Sequence, residues 1–179
     1  MPRVLIALGS NMSSTFGSPL ATLNWARAEL HCTLAGMMCS SPVYASSPVG
    51  PGLQRIYVNA VLAGDVTVSP RVLLRLCQRL ERQAGRRRRM RWTARPLDVD
   101  VIDYRGVVLH PRADQSVAAT LVLPHPKVAE RPFVLQPIRD IAPHWRHPVT
   151  GLTAAAMLAR LPRRPEMTLA STERTHESV

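Results

Sequence analysis

The stretch Leu97-Asp98-Val99-Asp100-Val101, which continues as Ile-Asp-Tyr to residue 104, alternates apolar and acidic side chains. This period of two is typical of a β-strand with one buried face, because successive side chains point to opposite sides of a sheet. We therefore expect a strand over residues 97–104. Its apolar residues would enter the core, and the first two aspartates would lie side by side on the other face.

The same analysis places further strands and helices on both sides of this stretch. Ser69-Pro70 has the form of an N-cap followed by a first helical residue, and Gly85 stands where a left-handed C-cap belongs. Between them runs an apolar stripe of Val72, Leu73, Leu76, Cys77, Leu80 and Ala84. The remaining predicted strands are 3–8, 37–44, 57–63 and a hairpin partner at 107–109, and the remaining helices are 18–30, one or two within 126–141, and 153–161.

Strands and helices are interspersed, and most strands alternate in polarity. This favours the α+β class, as a three-layer α/β/α domain with a mainly antiparallel sheet. A length of 179 residues suits one domain, which we assign to residues 1–161, followed by a polar and flexible tail at 162–179.

Composition restricts the compartment and the partners. The longest apolar runs are too short to cross a bilayer, and the N-terminus lacks the apolar core of a signal peptide, so we expect a cytoplasmic protein that makes no membrane contact. The formal net charge is +11, and Lys127 is the only lysine. Nucleic acid, an acidic surface or a polyphosphate substrate would each suit this charge, but aromatic residues, at 4%, are a poor supply of stacking platforms for single strands.

Asp98 and Asp100 are the sharpest chemical feature of the sequence. Two neighbouring carboxylates repel each other, and a divalent cation offsets that cost. Magnesium prefers oxygen ligands and often binds one or two carboxylates together with substrate phosphates. The alternative is an edge strand with a solvated acidic face.

A dense run of arginines stands directly before the acidic strand. It comprises Arg86, Arg87, Arg88, Arg89, Arg91 and Arg95. Arginines beside a cation-binding carboxylate pair suit a triphosphate, because metal bridges some phosphate oxygens and guanidinium groups hold the others. The alternatives are a disordered basic loop or a nucleic-acid patch.

At this point the sequence resembles a known family, the 6-hydroxymethyl-7,8-dihydropterin pyrophosphokinases, from about residue 3 to about residue 145. Six groups of residues carry the resemblance in the family's order. They are Ala7-Leu8-Gly9-Ser10-Asn11; Ser41 to Tyr44 with Ser47 to Gly50; Tyr57 to Ala60; Gln78 and Glu81 with Arg91 to Asp100; Pro124-His125-Pro126; and Glu130 to Leu135.

The resemblance implies a ferredoxin-like fold and transfer of pyrophosphate from ATP to 6-hydroxymethyl-7,8-dihydropterin, with release of AMP, in folate biosynthesis. It further implies two Mg²⁺ ions held by Asp98 and Asp100, and catalytic roles for these two residues with Arg86 and Arg95. We expect small-molecule substrates only, no nucleic acid, and a monomer.

The resemblance also implies the residues of the two substrate sites. The pterin site would contain Ser47, Pro48, Val49, Tyr57, Asn59, Trp92 and Phe133. The ATP site would contain Gln78, Glu81, Arg86, Arg89, Trp92, Arg95, His125 and Arg131.

One departure from the family's pattern concerns the arginine segment, where Thr93 stands in place of the usual glycine. Threonine resists backbone angles that glycine adopts, so loop closure and ATP affinity are affected more than the chemistry. Two rival functions remain: a nucleic-acid-binding module that uses the arginines, and a weakened family member retained for binding a partner.

Overall fold

The structure, a computed structural model, describes residues 4–34, 38–47, 55–86, 95–110, 121–161 and 167–170. Within these ranges it contains six strands and four α-helices. In chain order they are β1 Val4–Ser10, α1 Pro19–Leu34, β2 Met38–Ser40, β3 Tyr44–Ser46, β4 Tyr57–Gly64, α2 Pro70–Gln83, β5 Asp98–Tyr104, α3 Pro132–Ile141, α4 Ala154–Arg160 and β6 Met167–Leu169.

The strands form one antiparallel sheet in the order β5-β1-β4-β3-β6, and β2 also pairs with β4. The central strand β1 is almost entirely buried, as its apolar sequence predicts. The α+β class and the antiparallel sheet expected from the alternating strands are therefore confirmed.

Both faces of the sheet are covered by helices. One face of β1, with Val4, Ile6 and Leu8, packs in a core that includes residues of α1 and α2. The opposite face, with Leu5 and Ala7, packs in a second core that includes residues of α3 and α4. The chain thus has the expected three layers. No helix in the described ranges has both the length and the apolar character needed to cross a membrane.

The helix predicted after Ser69 is present as α2. The Ser69 side chain accepts a hydrogen bond from the Val72 N–H, and Gly85 has a φ of +86° just beyond the helix end. Val72 is 38% exposed, so this residue of the apolar stripe does not enter the core. The buried part of the stripe consists of Leu73, Cys77, Leu80 and Ala84.

Three other predictions are corrected by long-range contacts. The strand predicted at 37–44 is divided around Ser41 and Pro42 into β2 and β3. The stretch 107–109 does not form a hairpin with β5, because Leu109 pairs with Leu123. Part of the predicted flexible tail forms strand β6, which pairs with β3. The other residues of that tail lie outside the described part, and the division into domain and tail stays a prediction.

Candidate active site

The register of the three neighbouring strands β5, β1 and β4 builds the floor of the site. Gly9 on β1 lies opposite Asn59 on β4 and opposite Asp98 on β5. Two residues earlier, Ala7 lies opposite Asp100. Directly paired residues of an antiparallel sheet project to the same face, so the two aspartates and the asparagine share one surface. A Cβ on Gly9 would lie 3.3 Å from Asn59 Oδ1, so the absence of a side chain leaves room above this surface.

Two arginines hold Asp98. Arg86 Nη1 donates to Asp98 Oδ1 at 2.8 Å, and Arg95 Nη1 donates to the same oxygen at 2.9 Å. Both distances are typical of strong charge-assisted hydrogen bonds. β5 is an edge strand, yet its first carboxylate is paired with cations rather than only solvated.

Asp100 has a different set of partners. Arg131 Nη1 donates to Asp100 Oδ2 at 2.7 Å. His125 Nε2 lies 3.6 Å from the same oxygen, which is too long for a hydrogen bond. Arg131 also lies over the ring of Phe133, with its guanidinium carbon 5.9 Å from the ring centroid. One arginine thus joins the acidic strand to the aromatic wall.

A backbone hydrogen bond orients the ring of His125. Its Nδ1 accepts a hydrogen bond from the Lys127 N–H at 3.1 Å, so the ring proton is on Nε2, facing Asp100. Burial lowers the pKa of His125, and the charge of Arg131 lowers it further, although Asp100 opposes the shift.

Glu81 lies behind the carboxylate pair on α2 and is only 9% exposed. Its Oε1 accepts a hydrogen bond from the Val99 N–H at 3.0 Å and another from Arg86. Burial raises the pKa of Glu81 to about 7, although Arg86 and the Val99 N–H both lower it. Glu81 thus supports the backbone between the two aspartates and joins them to Arg86.

The predicted pterin residues of the described part meet beside the aspartates. Tyr57, Asn59, Phe133 and Ser47 all line one cavity. Asn59 is 4% exposed, and its Nδ2 donates to Ser46 Oγ at 2.9 Å, which orients the amide. Burial and the nearby Asp98 raise the pKa of the Tyr57 hydroxyl, whereas Arg95 lowers it. The aromatic and acidic parts of the site are therefore contiguous.

The cavity has a volume of about 280 Å³, slightly below the range expected for a small-molecule site. Its wall includes Arg95, Asp98, Asp100 and Arg131 as well as the described residues predicted for the pterin. Among the described residues predicted for the ATP site, Gln78, Glu81, Arg86 and His125 lie outside this wall. Arg86 and His125 contact it through Asp98 and Asp100, and Glu81 is joined to it through Arg86.

The sequence analysis missed two charged residues of the wall, Lys127 and Glu130. Both fall between His125 and Arg131, two predicted site residues, so their position was a usable signal. Four other predicted site residues, Pro48, Val49, Arg89 and Trp92, lie outside the described residues, as does Thr93.

One family of known proteins matches most of this chain. Residues 5–143 match the family described as 7,8-dihydro-6-hydroxymethylpterin-pyrophosphokinase (HPPK). A curated relative from Pseudomonas aeruginosa, named 2-amino-4-hydroxy-6-hydroxymethyldihydropteridine pyrophosphokinase, is 35% identical over 89% of this chain and 92% of its own length. Relatives of the same name from Methylorubrum extorquens and Mycobacterium tuberculosis are 36% and 38% identical, over 90% and 84% of this chain and 94% and 78% of their own lengths.

A solved structure supports the fold alone. The crystal structure of an HPPK-DHPS in complex with substrates matches 89% of this chain with a TM-score of 0.63 at 12% sequence identity. This chain spans 43% of that longer chain. The family match and the relatives above 30% identity are decisive, and this chain belongs to the 7,8-dihydro-6-hydroxymethylpterin-pyrophosphokinase family.

Proposed function

We propose that this chain transfers the terminal diphosphate of ATP to the hydroxymethyl group of 6-hydroxymethyl-7,8-dihydropterin and releases AMP. The chain is a pyrophosphokinase of folate biosynthesis by its family and by the names of its curated relatives. The observation that carries the proposal for the site is the placement of two arginine-paired aspartates beside an aromatic cavity.

The donor set of β5 fits magnesium. Asp98 and Asp100 offer hard carboxylate oxygens on one face of the strand, at the cavity wall. Among the described residues, no three side chains of His, Cys, Asp or Glu form a closed metal site. Magnesium is typically bound by one or two carboxylates, while phosphate oxygens and water fill its remaining coordination positions. Bound there, two Mg²⁺ ions would neutralise charge on the triphosphate.

The aromatic part of the cavity suits a flat heterocycle. Tyr57 and Phe133 supply ring faces for stacking, and the buried Asn59 amide supplies hydrogen bonds to the edge of the ring system. The hydroxymethyl group of a pterin bound there would point toward the adjacent aspartates. Pro48, Val49 and Trp92 remain predicted members of this site.

The arginines supply the rest of the positive charge. Three arginines donate hydrogen bonds to the two aspartates, namely Arg86, Arg95 and Arg131. When the nucleotide binds, these guanidinium groups would donate to phosphate oxygens instead. The pterin hydroxyl oxygen then forms a bond to the β-phosphorus and loses its proton to a carboxylate such as Asp100. The bond between that phosphorus and the oxygen retained by AMP breaks. Positioning and charge stabilisation are the main contributions expected of the protein.

Other parts of the proposal concern the state of the protein. We propose a monomer that acts in the cytoplasm on small molecules and does not require nucleic acid. The proposed ATP site also includes Gln78, Glu81, Arg89 and His125.

The proposal is tested by incubating the purified chain with ATP, Mg²⁺ and 6-hydroxymethyl-7,8-dihydropterin and separating the nucleotides by chromatography. We expect AMP to appear only when the pterin is present. Pterin-dependent ADP, or pterin binding without any nucleotide product, would contradict the proposed transfer.

A further inference from the structure

Asn11, the residue after the end of β1, is hydrogen-bonded to Arg95. The Asn11 N–H donates to the Arg95 carbonyl oxygen at 3.2 Å, and the Arg95 N–H donates to Asn11 Oδ1 at 2.8 Å. The last register pair between β1 and β5 is Gly9 with Asp98, so these bonds lie just beyond the ladder. They extend the pairing, with a side-chain oxygen in place of one backbone carbonyl.

A third bond reinforces this connection. Ser10 Oγ donates to the carbonyl oxygen of Pro96 at 2.6 Å. The Ser10 hydroxyl thus donates to the Pro96 carbonyl in the place of a backbone N–H. Ser10 and Asn11 are both fully buried, so their ends of these bonds are shielded from water.

Arg95 therefore extends from a backbone that is held on both sides. Its guanidinium reaches Asp98 Oδ1 at 2.9 Å and lies in the cavity wall. A long arginine side chain has many rotamers, so the direction in which it leaves the backbone largely decides which groups it reaches. Because the peptide groups of Arg95 are fixed, its side chain is directed to the part of the cavity that contains Asp98 and Asp100.

We infer that Asn11 is a positioning residue for the reaction, which with Ser10 fixes the Arg95 backbone and so directs its guanidinium to the nucleotide phosphates. The inference rests on the proposed function, in which Arg95 binds phosphate. The side-chain oxygen of Asn11 performs this role. Its buried Nδ2 has no hydrogen-bond partner among the described residues.

A double-mutant cycle separates positioning from general support of the fold. The dissociation constant of a non-hydrolysable ATP analogue with Mg²⁺ is measured by calorimetry for Asn11→Ala in the natural chain and in the Arg95→Gln background. We expect Asn11→Ala to weaken binding about tenfold in the natural chain and less than about twofold when Arg95 is already absent. An equal loss in both backgrounds, or no loss in either, would overturn the inference.

Two further variants complete the experiment. Asn24→Ala, on the exposed side of α1, is the control for removing an amide. If Asn11→Ala does not fold, Ser10→Ala replaces it in the double-mutant cycle with Arg95→Gln. We then expect the affinity for the ATP analogue to fall about threefold.

The pterin-dependent production of AMP by the natural chain is measured on the same samples. If the natural chain binds the nucleotide but produces no AMP, the proposed function is refuted. The double-mutant cycle of Asn11 and Arg95 can still be interpreted, because it measures binding alone. A natural chain that bound no nucleotide would overturn both.

Discussion

Arg131 Nη1 lies 2.7 Å from Asp100 Oδ2, so an arginine guanidinium pairs with this carboxylate at the wall of the cavity. Asp98 is held in the same way by Arg86 and Arg95. The protein's own cations thus pair with both aspartates that we assign to magnesium. A free metal ion must then compete with the arginines, whereas a nucleotide draws the arginines to its phosphates.

The first prediction is that removing this arginine strengthens binding of the metal alone. Arg131→Gln should bind Mn²⁺ without nucleotide about tenfold more tightly, because Asp100 loses a charged partner. Calorimetric titration with Mn²⁺ measures this change. Arg139→Gln is the control, since Arg139 carries the same charge on α3 but pairs with Asp140. Equal Mn²⁺ affinity in the two variants would contradict the competition.

The second prediction concerns the carboxylates themselves. Asp98→Asn and Asp100→Asn should each lower the turnover number by about a thousandfold or more, because charge stabilisation of the phosphates is lost. Circular dichroism melting should show that the fold survives, since both side chains lie at the cavity wall. Asp65→Asn, at a carboxylate that is 55% exposed and pairs with Arg105, should retain turnover. Turnover within about tenfold of normal in either site variant would remove the metal assignment.

The third prediction follows from the raised pKa of Glu81. The pKa is about 7 in the folded chain against 4.5 ordinarily, so the folded state retains a proton that the unfolded state has lost. The contribution of the group to stability is therefore complete below pH 4.5 and is lost as pH rises through about 7. Urea denaturation of the natural chain and of Glu81→Gln at several pH values measures this contribution.

We expect the stability of the natural chain relative to Glu81→Gln to fall by on the order of 2 kcal/mol between pH 5 and pH 8. A relative stability that stays constant or rises over that interval would show that Glu81 is not a buried, destabilised carboxylate.

The fourth prediction tests the aromatic wall, using the fact that the chain contains only two phenylalanines. Phe133→Leu should weaken pterin binding about tenfold through loss of stacking, with nucleotide binding unchanged. Phe16→Leu is the matched control, because Phe16 stacks on Trp25 at a centroid distance of 3.7 Å and does not line the cavity. Calorimetric titration with the pterin should separate the two variants. Equal effects would mean that Phe133 serves packing alone.

The faces of the strands could be predicted because side-chain direction alternates locally along a strand. Asp98 and Asp100 lie together at the cavity, while Val99 and Val101 are 4% exposed in the core. The helix after Ser69 could be predicted for a similar reason, since caps and stripes act over a few residues. In both cases the interaction that decides the structure is short in sequence.

The errors concern contacts between distant residues. The pairing of Leu109 with Leu123 and the addition of β6 beside β3 depend on which segments meet in space. Alternation does not encode that choice. The same limit applies to Asn11, whose partner Arg95 is 84 residues away in the chain. Its role became visible only once the register of β1 and β5 was known.

The measurement that tests the central claim most directly is a ³¹P NMR spectrum of the reaction of the natural chain with ATP, Mg²⁺ and 6-hydroxymethyl-7,8-dihydropterin. Each phosphorus of ATP, if attacked, gives a different pair of products. Attack at the β-phosphorus, which we predict, gives AMP and a pterin carrying a diphosphate in equal amounts. ADP with a pterin monophosphate, or free pyrophosphate with an adenylated pterin, would contradict the account.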